Sequence, residues 1–260
     1  MNILILGDIV ARTGRKAVAK ILPDLRKEKK IDFVVANAEN VSHGTGFTND
    51  HINDLKEAGV DFFTSGDHVW DVRDSIPLLD HKDFPVIRPA NFPPDVPGFG
   101  FRELSIKKHK ILVINLMGRV FIRDDYDDPF RTAEKIIKKS DAKIVLVDIH
   151  AEATSEKGAL GWYLDGKATC VYGTHTHVPT CDERILPHGT AFISDIGMTG
   201  NFDSVIGVKP ESVIPRYLTQ MPTRFEWEEG NFVFNAIMVT VDEKTGKAER
   251  VERIQVREEK

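Results

Sequence analysis

The chain has 260 residues, a formal charge of -5 at pH 7, 41% hydrophobic residues and 29% charged residues. This composition is that of ordinary globular proteins and excludes global disorder. Two cysteines cannot build a disulfide framework, which excludes a small secreted scaffold, and the acidic balance argues against a bulk nucleic-acid-binding surface.

The N-terminus has no basic region before its short apolar run, unlike a signal peptide. No stretch approaches the ~20 apolar residues that a membrane helix needs. We therefore expect a cytoplasmic protein that does not use a membrane. Apolar residues in the proline-rich and C-terminal regions fit either an interface or a core, and we expect a homo-oligomer.

The first 64 residues alternate short apolar runs with longer amphipathic segments. Strands are predicted at 3–6, 32–38 and 60–64. Helices are predicted at about 14–29 and directly after Thr48, which is a suitable capping residue. This β-α-β-α-β order is typical of a layered α/β domain.

The rest of the chain predicts a proline-rich surface loop, then further strands and one helix. No repeat and no linker interrupts it, so a single domain spanning 1–260 is expected. The predicted strands are 110–116, 143–148, 169–172, 190–194, 231–241 and 247–256, and the predicted helix is about 128–139.

Side chains that can bind a metal recur directly after predicted strands. Ligands bind outside the carboxyl ends of the strands in an open α/β sheet. If the strands are parallel neighbours, these side chains therefore converge on one crevice. They are Asp8, Glu39, Asn40, Asp67, His68, His150, His175 and His177.

Oxygen and nitrogen ligands of these types suit manganese, iron or zinc. They are too many for one tetrahedral ion with an open position, whereas two ions sharing a carboxylate use them all. Metal pairs ~3.5–4 Å apart recur in enzymes that hydrolyse phosphoesters. The pattern thus favours a dinuclear site.

Each of these residues and motifs also has a simpler structural explanation. Asp8 fits a turn, Glu39-Asn40 fits a helix cap, and His150 fits a hydrogen-bonded core histidine. In an extended segment, side chains two residues apart point the same way, so His175 and His177 can face one ion. The joint placement of these eight residues after five predicted strands favours metal binding over the separate explanations.

The order of these motifs resembles the calcineurin-like metallophosphoesterases. It runs G-D, N-A-E-N, G-D-H, an isolated histidine and G-T-H-T-H. The resemblance to the bacterial YmdB-like phosphodiesterases runs nearly from end to end of the chain and is carried by five longer strings. They are R-P-A-N-F at 88–92, D-I-H-A-E-A-T-S-E-K at 148–157, G-W-Y at 161–163, V-Y-G-T-H-T-H-V at 171–178 and D-I-G-M-T-G at 195–200.

The resemblance implies a four-layer αββα sandwich, with two mixed sheets flanked by helices. It also implies two divalent or trivalent metal ions per chain, of which iron or manganese is the first choice and zinc a further option. The implied substrate is a small cyclic nucleotide such as a 2′,3′-cyclic nucleotide. Asp8, Asn40 and His177 would bind the first ion, Asp67, His150 and His175 the second, and Glu39 both.

The mechanism expected from this resemblance is direct hydrolysis. A hydroxide bridging the metals attacks phosphorus, and His68 protonates the leaving oxygen as general acid. Two other functions stay open: a phosphomonoesterase such as a nucleotidase, selected by the proline-rich loop and a 151–165 loop, and a nucleotide-binding regulatory protein with little turnover. A Rossmann dehydrogenase is disfavoured because no G-x-G-x-x-G follows the first strand.

One position departs from the family pattern, which has Asn-His where this chain has Asp67-His68. An aspartate still offers one oxygen to a metal. Its charge, however, weakens the ions as Lewis acids and repels the phosphate. We therefore expect altered metal preference or reduced turnover.

Overall fold

The structure, a computed structural model, describes residues 1–227 and 229–258. Within these ranges the chain forms twelve strands, five α-helices and two 3-10 helices. The strands are β1 (Asn2–Asp8), β2 (Phe33–Asn37), β3 (Phe62–Thr64), β4 (Phe101–Ile106), β5 (His109–Met117), β6 (Ile144–His150), β7 (Cys170–Thr174), β8 (Arg184–Ile185), β9 (Ala191–Ile193), β10 (Gly200–Asn201), β11 (Phe232–Val241) and β12 (Ala248–Arg257). The helices are α1 (Ala11–Glu28), α2 (Asn49–Glu57), α3 (Pro129–Ile137), α4 (Thr154–Tyr163) and α5 (Pro210–Thr219), and the 3-10 helices are Asp67–Trp70 and Arg73–Asp80.

The strands form two mixed sheets of six. The first has the order β10-β11-β1-β2-β3 with β12 beside β11, and the second has the order β4-β5-β6-β7-β9-β8. Strands β1, β2 and β3 run parallel, as do β5, β6, β7 and β9. The carboxyl ends of each parallel set therefore meet at one edge of its sheet.

Alternation along the buried strands explains the layers. Ile3 and Ile5 of β1 face Val113 and Leu146 of the second sheet in one apolar cluster. The intervening residues of β1 point the other way, because successive strand side chains alternate between faces. Leu4 packs there against α1.

The second sheet repeats this arrangement on its outer face. Leu112 and Val145 pack there with Ile136 of α3 and Leu160 of α4. Helices thus cover both outer faces of two stacked sheets. The expected αββα sandwich is confirmed.

Capping side chains mark the starts of two helices. Thr48 caps α2, accepting a hydrogen bond of 3.2 Å from the His51 amide. Asp128 caps α3, accepting one of 2.9 Å from the Phe130 amide. Both satisfy amides that a helix start leaves without partners.

Five strands and α-helices were not predicted, namely β4, β8, β10, α4 and α5, and neither were the two 3-10 helices. The prediction of a loop at 151–165 is wrong, because α4 occupies Thr154–Tyr163. The core side of α4 is built partly from Lys157 and Glu156, so apolar periodicity is weak there. A single domain spanning 1–260 stays a prediction. No described helix has the length and apolarity to cross a membrane.

Candidate metal centre

Four of the predicted ligands meet where the two sheets end. Glu39, Asp67, His150 and His175 each offer one ligand atom, and these atoms all lie within 4.8 Å of one another. Glu39 follows β2 and Asp67 follows β3, whereas His150 ends β6 and His175 follows β7. Each sheet therefore contributes two of the four side chains.

His150 is the centre of this cluster. Its Nε2 lies 3.0 Å from Glu39 Oε1, 3.2 Å from Asp67 Oδ1 and 3.0 Å from His175 Nδ1. Both His150 and Glu39 are buried. Acceptor atoms thus converge on one small space that water reaches poorly.

The electrostatics of the cluster favour a cation. Burial lowers the pKa of His150, but the nearby carboxylates, Glu39 first, raise it well above its ordinary value. Burial raises the pKa of Asp67, yet the hydrogen bond and charge of His150 bring it below its ordinary value. Burial and the charge of His150 lower the pKa of His175 to about 4. The carboxylates therefore attract positive charge to His150. A metal ion bound there would replace the His150 proton, because neutral imidazole and ionised carboxylate are the forms that bind metals.

Two further predicted ligands carry unsatisfied oxygens. Asp8 is fully buried; its Oδ2 accepts a bond of 3.1 Å from the His175 amide, while its Oδ1 has no hydrogen-bond partner. Asn40 donates from Nδ2 to the Gly44 carbonyl at 2.9 Å, and its buried Oδ1 also lacks a partner. Such oxygens are costly unless something binds them. A metal ion bound to these two oxygens would satisfy both of them.

His177 lies outside the cluster of four. Its Nδ1 is 2.9 Å from the Ile206 carbonyl oxygen, so Nδ1 carries the proton and Nε2 keeps the lone pair a metal needs. The expectation of an extended segment is wrong, since φ is +94° at His175 and +64° at His177. The two rings therefore have different neighbours. Left-handed backbone at such residues is uncommon and clusters at functional sites.

His68 lies beside the cluster without belonging to it. Its amide donates to Glu39 Oε2 at 3.2 Å, and its ring Nδ1 is 2.8 Å from Asp71 Oδ2. Burial lowers the pKa of His68, but Glu39, Asp67 and the bond to Asp71 together raise it. The raised pKa means that this partly exposed ring favours its protonated form more than a free imidazole does.

Sequence analysis missed the residues that support the candidate ligands. Thr174 Oγ1 lies 2.9 Å from His150 Nδ1 and donates to Asp148 Oδ1 at 2.7 Å. Burial raises the pKa of Asp148 to about 7. Glu152 Oε2 lies 3.3 Å from His175 Nε2. The one available signal was a polar residue inside the apolar run of β6.

Comparison with known proteins places these observations in a family. The family model described as YmdB-like protein matches residues 4–254. The 2′,3′-cyclic-nucleotide 2′-phosphodiesterase of Bacillus subtilis (strain 168) is 42% identical over 262 residues, covering 100% of this chain and 98% of that protein.

Two solved structures are similar to this chain over nearly its whole length. A hypothetical protein from Thermus thermophilus has a TM-score of 0.94 at 41% identity, with 100% of both chains covered. A novel phosphatase from Mycoplasma pneumoniae has a TM-score of 0.94 at 36% identity, covering 99% of this chain and 93% of that chain.

A more distant structure supports the fold alone. The 5′-nucleotidase precursor from Thermus thermophilus has a TM-score of 0.57 at 13% identity, covering 98% of this chain and 54% of that chain. The match of the family model over nearly the whole length, together with the close relatives, shows that the chain belongs to the YmdB-like protein family.

Proposed function

We propose that the chain is a metal-dependent phosphodiesterase that hydrolyses 2′,3′-cyclic nucleotides. One observation carries the proposal: the cluster of Glu39, Asp67, His150 and His175, found in a chain 42% identical to a 2′,3′-cyclic-nucleotide 2′-phosphodiesterase. The substrate class is taken from that relative. The cluster supplies the chemistry such a reaction needs.

The proposed ligands divide into two sets around a shared carboxylate. Asp8, Asn40 and His177 would hold one ion, Asp67, His150 and His175 the other, and Glu39 both. Iron or manganese is the proposed metal, with zinc as a further option. The unsatisfied oxygens of Asp8 and Asn40 support the first set.

Bound metals would supply Lewis acidity, activating water near neutral pH and neutralising phosphoryl charge. The chain itself supplies a proton donor. His68 Nδ1 is held by Asp71 at 2.8 Å, which leaves Nε2 to protonate the leaving ribose oxygen. Glu39 and Asp67 favour the charged imidazole that can give this proton.

Two competing functions remain to be separated from this one. A phosphomonoesterase is favoured by the similarity to a novel phosphatase from Mycoplasma pneumoniae. A nucleotide-binding regulatory protein with little turnover is favoured by the charge of Asp67. A cytoplasmic location, a homo-oligomeric state and the lack of a bulk nucleic-acid-binding surface stay predictions.

The test is metal content followed by turnover. Plasma mass spectrometry on protein purified without added metal is expected to find about two ions per chain. The loaded protein should cleave 2′,3′-cyclic AMP faster than 3′-AMP. Faster cleavage of 3′-AMP would support the phosphomonoesterase, and tight binding without multiple turnovers the regulatory protein. No metal, even after reconstitution, would overturn the proposal.

A further inference from the structure

A cavity of about 660 Å³ opens where α1 begins. This volume is within the usual size of small-ligand sites. Cationic and aromatic side chains dominate its walls. They are Arg12, Arg15, His43, Arg224, Phe225 and Trp227.

The cavity shares a wall with the candidate metal centre. A methyl group added at Gly44 would lie 1.7 Å from Trp227 Cε2, so the indole packs directly on that glycine. The Gly44 carbonyl is the group that holds Asn40. The indole of Trp227 also lies against Gly207, next to the Ile206 carbonyl that holds His177. The wall therefore touches the backbone that positions two proposed ligands.

Among the described residues that line the cavity, three arginines outnumber two glutamates. Glu229 is engaged by Arg12 at 3.1 Å and by Lys16 at 3.3 Å. Glu226 faces Lys209 at 3.9 Å. Within residues 1–227 and 229–258, Arg15 and Arg224 form no ion pair with a carboxylate. The start of α1, which has no side-chain cap, adds further positive potential.

Guanidinium groups bind phosphate through paired hydrogen bonds, and aromatic faces stack on bases. A cyclic mononucleotide with a free 5′-hydroxyl brings only the phosphate that the metal centre would take. Nothing in it would use the arginines. A nucleotide with a second phosphate on its 5′ side would use both sites.

We propose that this cavity binds the 5′-phosphate of the substrate, so that the preferred substrate is a 5′-phosphorylated 2′,3′-cyclic nucleotide. This inference rests on the proposed function, which it narrows to one substrate class. The arginines give the cavity its selectivity for a dianion. Phe225 and Trp227 give it an apolar face for a base.

The first test compares two substrates with the metal-loaded enzyme. We expect kcat/KM to be higher for adenosine 5′-phosphate 2′,3′-cyclic phosphate than for 2′,3′-cyclic AMP. Arg224→Gln should lower the ratio of the two values by about tenfold or more, the effect of one charge-assisted hydrogen bond. Arg224 is exposed, so the variant should fold. Lys27→Gln, an 82% exposed position in the last turn of α1, is the matched control and should keep the ratio.

The second test measures binding without turnover. Equilibrium titration should show tighter binding of adenosine 3′,5′-bisphosphate than of 3′-AMP, with the difference reduced in Arg224→Gln. If 2′,3′-cyclic AMP is cleaved but both ratios are near one, the cavity inference fails and the proposed function stands. If no phosphodiester is cleaved but the bisphosphate still binds more tightly, the proposed function fails and the substrate assignment fails with it, whereas the phosphate-binding role of the cavity stands.

Discussion

Gly66 packs against Glu39 so closely that no residue larger than glycine fits at position 66. A methyl group at Gly66 would lie 2.2 Å from Glu39 Oε2 and 2.4 Å from His150 Nε2. Gly66→Ala must therefore displace two proposed ligands. We expect metal content below two ions per chain and an activity loss of about 10²-fold, because misplacing reactive groups by ~1 Å costs that much.

Gly158→Ala is the control for this change, since nothing lies within 4 Å of the added methyl group. Metal content and activity should match those of the parent protein. A Gly66→Ala variant with full metal and full activity would show that Glu39 and His150 do not form the centre.

Thr174→Val tests the support of His150. The change removes the hydroxyl that lies between His150 Nδ1 and Asp148 and leaves the shape of the side chain. Metal affinity should fall about 10- to 100-fold, the usual effect of losing a partner behind a metal-binding histidine. Competition with a chelator measures this. Thr174→Ser restores the hydroxyl and should recover most of the affinity, and equal affinity in all three proteins would contradict the role.

His68→Ala tests the proton donor through the leaving group. A ribose alkoxide needs protonation, whereas a p-nitrophenolate leaves without it. We expect kcat for 2′,3′-cyclic AMP to fall about 10²- to 10⁴-fold. The loss for bis(p-nitrophenyl) phosphate should be far smaller. His81→Ala, at an exposed position, is the control, and equal losses on both substrates would assign His68 to phosphate binding instead.

Asp67→Asn tests the departure from the family pattern. The lowered pKa of Asp67 keeps this carboxylate ionised at neutral pH, so the substitution removes a full negative charge beside the phosphate. We expect kcat to rise about three- to tenfold, equivalent to about 0.7–1.4 kcal/mol, and the ratio of bound iron to manganese to change. Asp50→Asn removes an exposed carboxylate on α2 for comparison. Unchanged kinetics and metal content in Asp67→Asn would refute the idea.

Asp182 makes stability depend on pH outside the metal centre. Burial raises its pKa, but hydrogen bonds from Ser194 and Thr180 lower it below the ordinary value. The ionised form therefore stabilises the fold above the unfolded pKa of about 3.9, and this stability is lost as pH falls through the lower folded pKa. Urea unfolding between pH 7 and pH 3 should show a weaker acid dependence for Asp182→Asn. Asp24→Asn, at a 91% exposed carboxylate, should keep the parent slope.

The positions of the proposed ligands were predictable because they follow continuous apolar strands, and parallel strands bring such positions together. The arrangement of His175 and His177 was not predictable in this way. It depends on two left-handed residues that only the packing of the surrounding segment holds in place. Support from Thr174 and Asp148 was also hidden, because neither residue type indicates a metal by itself.

In the fold, the strongly apolar strands were predictable and the weakly patterned elements were not. Strand β4 has no buried residue, and its sequence F-R-E-L-S-I gives little alternation. Helix α5 contains Pro215, which normally argues against a helix. The insertion of β11 antiparallel to β1 depends on contacts between distant segments, which local patterns do not encode.

The origin of the four clustered side chains, two from each sheet, has a thermodynamic consequence. Ions bound there would act as a cross-link that holds the sandwich closed at one edge. By mass action, metal at 100 times its dissociation constant would add about 2.7 kcal/mol to the free energy of unfolding. A chelator would thus lower the melting temperature as well as the activity, and metal supply would set how long the folded protein survives.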